Sequence, residues 1–215
     1  MTTTFIRNHQ YNYIKKQSDF VLKTLRSVAD RRVLETVRYS AEVNVTEAFS
    51  SLTTEQEQML RPISTLEKAE DFQQYISGFE PYLEAFPPIT LKQIQKLFPK
   101  NKKMKLPDLA SFDFRYVTYL AWADIATNKL FIVYPYEEQF IGVEGRIIPT
   151  HKKGYCLFCN RQQELAFLTV KTKPELASAD NIASVGQYVC IDNHGCNQSI
   201  TNISSLERFV LSVQK

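Results

Sequence analysis

The sequence predicts an α+β chain in two parts: an N-terminal four-helix bundle, then a C-terminal α/β domain with an antiparallel sheet and a four-cysteine finger. Three observations predict this. Apolar residues of the first 85 positions recur at helical spacing. From about residue 115 the period changes to two. All four cysteines fall in the last third, as two close pairs around a hairpin-sized insert. Phe86-Pro87-Pro88 is the strongest break, and it divides residues 1–85 from 88–215, with the finger over 156–196.

In the first part, Ile14, Val21, Leu25 and Val28 form one apolar stripe. Leu34, Val37, Ala41, Val45 and Ala48 form a second, and Ala69, Phe72, Ile76, Phe79 and Leu83 a third. Each stripe needs another helix to cover it, so three long helices and one short one predict a bundle. Thr54 to Glu57 and Ser64 to Glu67 have capping-box spacing. Pro81 should kink or end the last helix near Glu80. A further helix is predicted from Thr90, capped with Gln93 and turning Leu91, Ile94, Leu97 and Phe98 inward.

Beyond the basic stretch Lys100 to Lys105, β-branched and aromatic runs at 116–122, 129–134 and 139–143 predict an antiparallel meander. Polar turns at 124–128 and 135–138 separate them. Trp122, the single tryptophan, reads as a core residue. Leu165–Val170 and Gly186–Cys190 predict a second hairpin lying between the cysteine pairs. Its connection, Lys171 to Ser184, is long and polar and is expected to be mobile. Ile203–Val213 reads as a closing helix.

Hydrophobic residues make up 44% of the 215 and charged residues 23%, the balance of an ordinary globular chain. No apolar run approaches the roughly 20 residues of a membrane helix. The start shows no basic segment followed by an apolar one, so the expectation is a cytoplasmic protein without a signal peptide. In a reducing compartment, clustered cysteines are more often metal ligands than disulfides. Net charge is +3, and all of the excess lies in residues 100–215. The basic stretch could meet phosphates or an acidic partner; the plainer reading is a solvated linker.

The cysteines read Cys156-Leu-Phe-Cys159 and Cys190-Ile-Asp-Asn-His-Gly-Cys196. Four thiolates around one Zn²⁺ make a closed, structural site. His194 offers competing sets, replacing either Cys196 or Cys190, and a metal-free cluster of thiols is the remaining alternative. Knuckle, hairpin, helix is an order that resembles a treble-clef zinc finger, although its second pair is spaced by five residues where such folds usually have two. Catalytic readings lack support: there is no H-E-x-x-H, no H-x-E upstream of the pairs and no glycine-rich phosphate loop. His9, His151 and His194 stand in unrelated contexts.

Several stretches together resemble the FusB-type family of elongation factor G-binding and fusidic acid resistance proteins. They are Lys153 to Asn160, Gly186 to Asp192 and Cys196 to Ile200, with His9 to Ile14, Lys102 to Pro107, Trp122 and Thr127 to Tyr134. The likeness spans nearly the whole chain, and the cysteine spacing is its most specific part. It implies a helical N-terminal domain, a treble-clef finger holding one structural Zn²⁺, and Cys156, Cys159, Cys190 and Cys196 as ligands in preference to His194. It also implies a non-enzymatic, ribosome-associated role. Such a protein binds elongation factor G mainly through the zinc-bearing domain and helps release it from a stalled ribosome, which protects translation from fusidic acid. By the same resemblance, Tyr155, Tyr188 and Phe209 are partner-binding residues. A basic residue usual before the second aromatic is absent, since that segment reads Ser184-Val185-Gly186.

The residues themselves give the tyrosines an independent case, because they flank metal ligands and aromatics are enriched at interface hot spots. Packing across the hairpin, and docking of the last helix by Phe209, are the alternatives. A zinc-dependent RNA- or ribosome-binding module is the second function in view, and a zinc enzyme the third.

Overall fold

The computed structural model describes residues 3–172 and 184–214. The connection expected to be mobile lies largely outside the described residues. The chain divides into two compact units, residues 1–84 and 85–215.

The first unit is helical. α1 (Asn8–Ser27) and α2 (Arg31–Glu47) form a helical hairpin, followed by α3 (Thr54–Leu60), a 3-10 turn (Arg61–Ser64) and α4 (Ala69–Ser77). Its core collects Tyr11, Ile14 and Val21 from α1 and Ala41 and Val45 from α2. Leu60, Ile63, Phe72 and Phe79 complete it. The start of the chain is tied to the end of the unit: Phe5 and Ile6 N–H donate to the Tyr82 carbonyl, and Glu84 N–H donates to that of Ile6.

The break expected near Glu80 is present: α4 stops at Ser77 and a 3-10 turn over Glu80–Tyr82 follows, and two capping expectations need correction. Pro81 has no N–H to continue the ladder, and Gly78 before it lowers helix stability. The cap of α3 is Thr53, paired with Gln56, one position before the expected pair. Ser64 caps nothing. Its hydroxyl donates to Glu42 at 2.6 Å, and α4 begins instead with the Asp71 carboxylate accepting from Lys68 N–H at 2.9 Å.

The second unit opens with α5 (Leu91–Leu97), capped by Thr90 and Gln93 as expected. Five strands follow: β1 (Leu120–Asp124), β2 (Lys129–Tyr136), β3 (Gln139–Tyr155), β4 (Gln162–Lys171) and β5 (Ser184–Cys190). α6 (Asn193–Ser199) and α7 (Ser204–Ser212) end the chain. The sheet is a single antiparallel meander in the order β1-β2-β3-β4-β5. The expected meander and second hairpin are thus one sheet, joined by β3. That strand pairs with β2 along its first half and with β4 along its second, with an irregularity between Pro149 and Lys153. His151 takes a left-handed φ of 54° there. Residues 116–119, expected in the first strand, precede it: a 3-10 turn spans Phe114–Tyr116.

β1 and β2 are buried on both faces, which accounts for their unbroken apolar runs. Leu120, Trp122, Phe131 and Val133 face Ile94 and Phe98 of the α5 side. Trp122 stacks on Phe131, with ring centroids 5.3 Å apart, and its Nε1 donates to the Lys105 carbonyl at 2.9 Å. Ala121, Leu130, Ile132 and Tyr134 face the other way, into a core shared with the cysteines, Leu206, Phe209 and Val210. The sheet therefore separates two apolar layers, and the cysteines close the end of one of them.

The candidate metal centre

Cys156 follows the last residue of β3. The chain then turns tightly, with Asn160 N–H bonded to the Cys156 carbonyl and Cys156 N–H to that of Arg161. Asn160 takes a φ of 49°, a left-handed conformation that asparagine tolerates. The turn points Phe158 N–H at Cys156 Sγ, 3.3 Å away, and brings Cys159 back beside Cys156. Cys190 ends β5. Asp192 caps α6 by accepting from Gly195 N–H at 3.0 Å, and this places Cys196 one turn into the helix.

All four sulfurs lie within 4.8 Å of one another, and all four residues are buried. Cys156 and Cys196 Sγ are 3.8 Å apart, and Cys159 and Cys190 Sγ are 3.6 Å apart. Four sulfurs at about 2.3 Å from a central zinc would be roughly 3.8 Å from each other, so the spacing fits a tetrahedral ion. The donor chemistry points the same way. Without an ion the four do not ionise together. Hydrogen bonds from Cys159, Cys190 and Cys196 draw the Cys156 thiol far down, while hydrogen bonding to Cys156 pushes Cys190 and Cys196 far up. A divalent cation supplies the charge that lets all four bind as thiolates. The set fits one structural zinc with no position open. His194 is exposed on α6, where its Nε2 meets Gln198 Nε2 at 2.9 Å, and it is not among the clustered side chains.

A shell of residues that spacing did not reveal supports the site. Asn197 is 6% exposed. Its Oδ1 accepts from Thr118 N–H (2.7 Å) and Tyr119 N–H (3.2 Å), and its Nδ2 donates to the Tyr119 carbonyl (3.0 Å). One amide thus fastens α6 to the entry of β1. Tyr119 is fully buried. Burial first, then Cys196, holds its hydroxyl far above the ordinary tyrosine range, so it remains a neutral hydrogen-bond partner of the Cys196 sulfur. Phe158 packs edge-on against Tyr119, and Phe209 of α7 lies against Phe158 at 5.6 Å. Neighbouring Leu157 donates its N–H to the Tyr188 carbonyl at 2.9 Å, which locks the knuckle to β5. Only the position of Asn197, directly after a ligand, could have drawn notice in the sequence.

The three aromatics expected at a partner surface are placed differently. Tyr155 is 70% exposed and Tyr188 51% exposed, one beside each cysteine pair. Phe209 is 4% exposed, inside the core.

The chain matches known protein families in both units. Residues 5–87 match the family described as "Elongation factor G-binding protein, N-terminal", and residues 95–210 match "FBP C-terminal treble-clef zinc-finger". No curated protein matches the sequence. Among solved structures, "Structure of the fusidic acid resistance protein FusC" shares the fold, with a TM-score of 0.81 and 24% identity over 97% of each chain. No helix among the described residues is long and apolar enough to cross a membrane. The two family matches join the helical unit and the four-sulfur finger in one chain, which belongs to the FusB-type family of elongation factor G-binding proteins.

Proposed function

We propose that this protein binds elongation factor G through its zinc-bearing unit and, by binding, promotes the factor's release from the ribosome, protecting translation from fusidic acid in the cytoplasm. The observation that carries the reading is the placement of Tyr155 and Tyr188. Two large aromatics stand out in solvent, each directly beside or two residues from a ligand of a closed metal site. The core does not need them there. A surface fixed by a metal and a hydrogen-bonded knuckle loses little conformational freedom when a partner docks, so more of the contact energy appears as affinity. Phe209 acts in this reading from beneath. Through Phe158 it steadies the turn whose Leu157 N–H holds the Tyr188 backbone.

The role is that of a binding protein. Four sulfurs fill the coordination sphere of a zinc ion, and a filled sphere offers no place for a substrate or an activated water. The drug is not altered; the target is displaced from the complex that the drug stabilises.

Capture of purified elongation factor G by the immobilised protein tests the first step. The wild type should retain the factor, and a Tyr155→Ala/Tyr188→Ala double variant should lose most of it. Failure of the wild type to retain the factor sinks the function, and equal capture by both forms sinks the surface. Release of the factor from ribosomes stalled with fusidic acid, followed by sedimentation, tests the second step.

A further inference from the structure

The outer face of β3, β4 and β5 carries an apolar row that the proposed contact residues only begin. Ile148 pairs with Phe167 across β3 and β4, and Phe167 pairs with Tyr188 across β4 and β5. Residues directly opposite in an antiparallel pair point to the same face, so the three side chains stand side by side. At their level of the sheet they point away from the cysteine core, since their strand neighbours Ile147, Leu168 and Val189 belong to it; Leu165 and Cys190, two residues along, join that core where the strands reach the metal centre. Ile148 is 47% and Tyr188 51% exposed, while Phe167 lies half-buried between them with its ring 5.1 Å from that of Tyr188.

Phe167 has this place because residue 186 is glycine. A Cβ on Gly186 would fall 2.4 Å from Phe167 Cζ and 3.0 Å from Cε1, so the ring occupies the space that any other side chain would fill. The next row on the same face is Arg146, Thr169 and Gly186, followed by Lys171 beside Ser184. Aromatic residues and arginine are enriched at protein interfaces, and a polar rim around an apolar centre is their usual arrangement.

We propose that Phe167, seated by Gly186, is a further contact residue for elongation factor G, and that the row Ile148–Phe167–Tyr188 forms the centre of the docking face, with Arg146 and Lys171 on its rim. This rests on the function proposed above, and Tyr188 makes the row continuous with that surface. The partner surface it fits is an apolar patch bordered by acidic groups.

The test is titration calorimetry of the full zinc-loaded chain with elongation factor G. Phe167→Ala and Ile148→Ser should each weaken the dissociation constant about tenfold or more, as removal of a hot-spot side chain does. Gly186→Ala, which displaces the ring, should weaken it with Phe167 still present. Ile148 is half-exposed, so its replacement leaves the fold intact, and zinc content with a melting curve checks the other two. If Tyr188→Ala weakens binding while Ile148→Ser and Phe167→Ala bind like the wild type, the row is wrong and the function stands. If the wild type does not bind, both fall together.

Discussion

Asn197 shows how much one side chain can carry when every polar atom has a partner. Its amide serves two N–H groups and one carbonyl at the entry to β1, and its Nδ2 also reaches the Asn193 carbonyl at 3.1 Å. An alanine there would leave buried backbone groups unpaired, at about 1–3 kcal/mol for each one that stays dry. Asn197→Ala should therefore destabilise the second unit by about 2–4 kcal/mol. The single tryptophan, Trp122, lies in that unit, so its fluorescence during urea unfolding reports the loss directly. His9 sets a different term. Burial, then the charge of Arg7, lowers its pKa from 6.5 to about 4. The unfolded chain thus binds a proton between those values that the folded chain refuses. Stability from this group is complete above about pH 6.5 and falls as the pH drops toward 4, by on the order of 3 kcal/mol in all. Helical circular dichroism during denaturation at pH 7 and pH 5 should show the first unit weaker at pH 5, and His9→Gln should narrow that difference.

At the level of elements, the sequence was most readable where local chemistry decides the outcome. Thr90 and Gln93 announce α5 because the cap is made by the helix's own first turn. The stripe from Ile14 to Val21 announces α1 by its helical spacing, which is read within the helix itself. β3 was readable only in part. Pro149 and three glycines interrupt its seventeen residues, and local propensity reads them as breaks. Gly145 is a requirement of the sheet, since a Cβ there would lie 2.6 Å from Leu168 and 2.8 Å from Val170 on the neighbouring strand. That contact exists only once the sheet has formed, and no spacing within the strand foretells it. The metal ligands were legible because four sulfurs around one ion impose their own spacing, while Asn197 and Tyr119 were hidden because their partners are backbone groups and a sulfur distant in sequence. The choice between cysteine and histidine ligands is open to measurement on α6 itself. Cys196 is buried beside Cys156, whereas His194 is exposed and engaged with Gln198. His194→Ala should keep one zinc per chain and an unchanged melt, and Cys196→Ala should lose the metal. Equal zinc loss in both variants would bring His194 into the ligand set.

For the whole molecule, the two units are stabilised by different means, and this makes them separable by experiment. The helical unit rests on an apolar core of Ile14, Val45, Leu60, Ile63 and Phe72 and on the tie between Ile6 and Leu83. None of its side chains belongs to the cysteine cluster. In the second unit the cysteines lie inside the main core layer, next to Phe158, Leu165, Val189 and Leu206. Removing zinc there does more than free a surface loop, because it takes away the ion that draws four sulfurs together at the end of an apolar layer. Structural zinc sites supply on the order of 10 kcal/mol of binding free energy, comparable to the whole stability of a domain. A strong chelator should therefore abolish the cooperative Trp122 transition, exposing the indole from its stack on Phe131, while the helical signal of the first unit melts at an unchanged temperature. Restoring zinc should restore the Trp122 transition. A tryptophan melt indifferent to the chelator, at confirmed loss of metal, would mean that the apolar layers hold the second unit without the ion. The rigidity proposed for the docking face would then need another source.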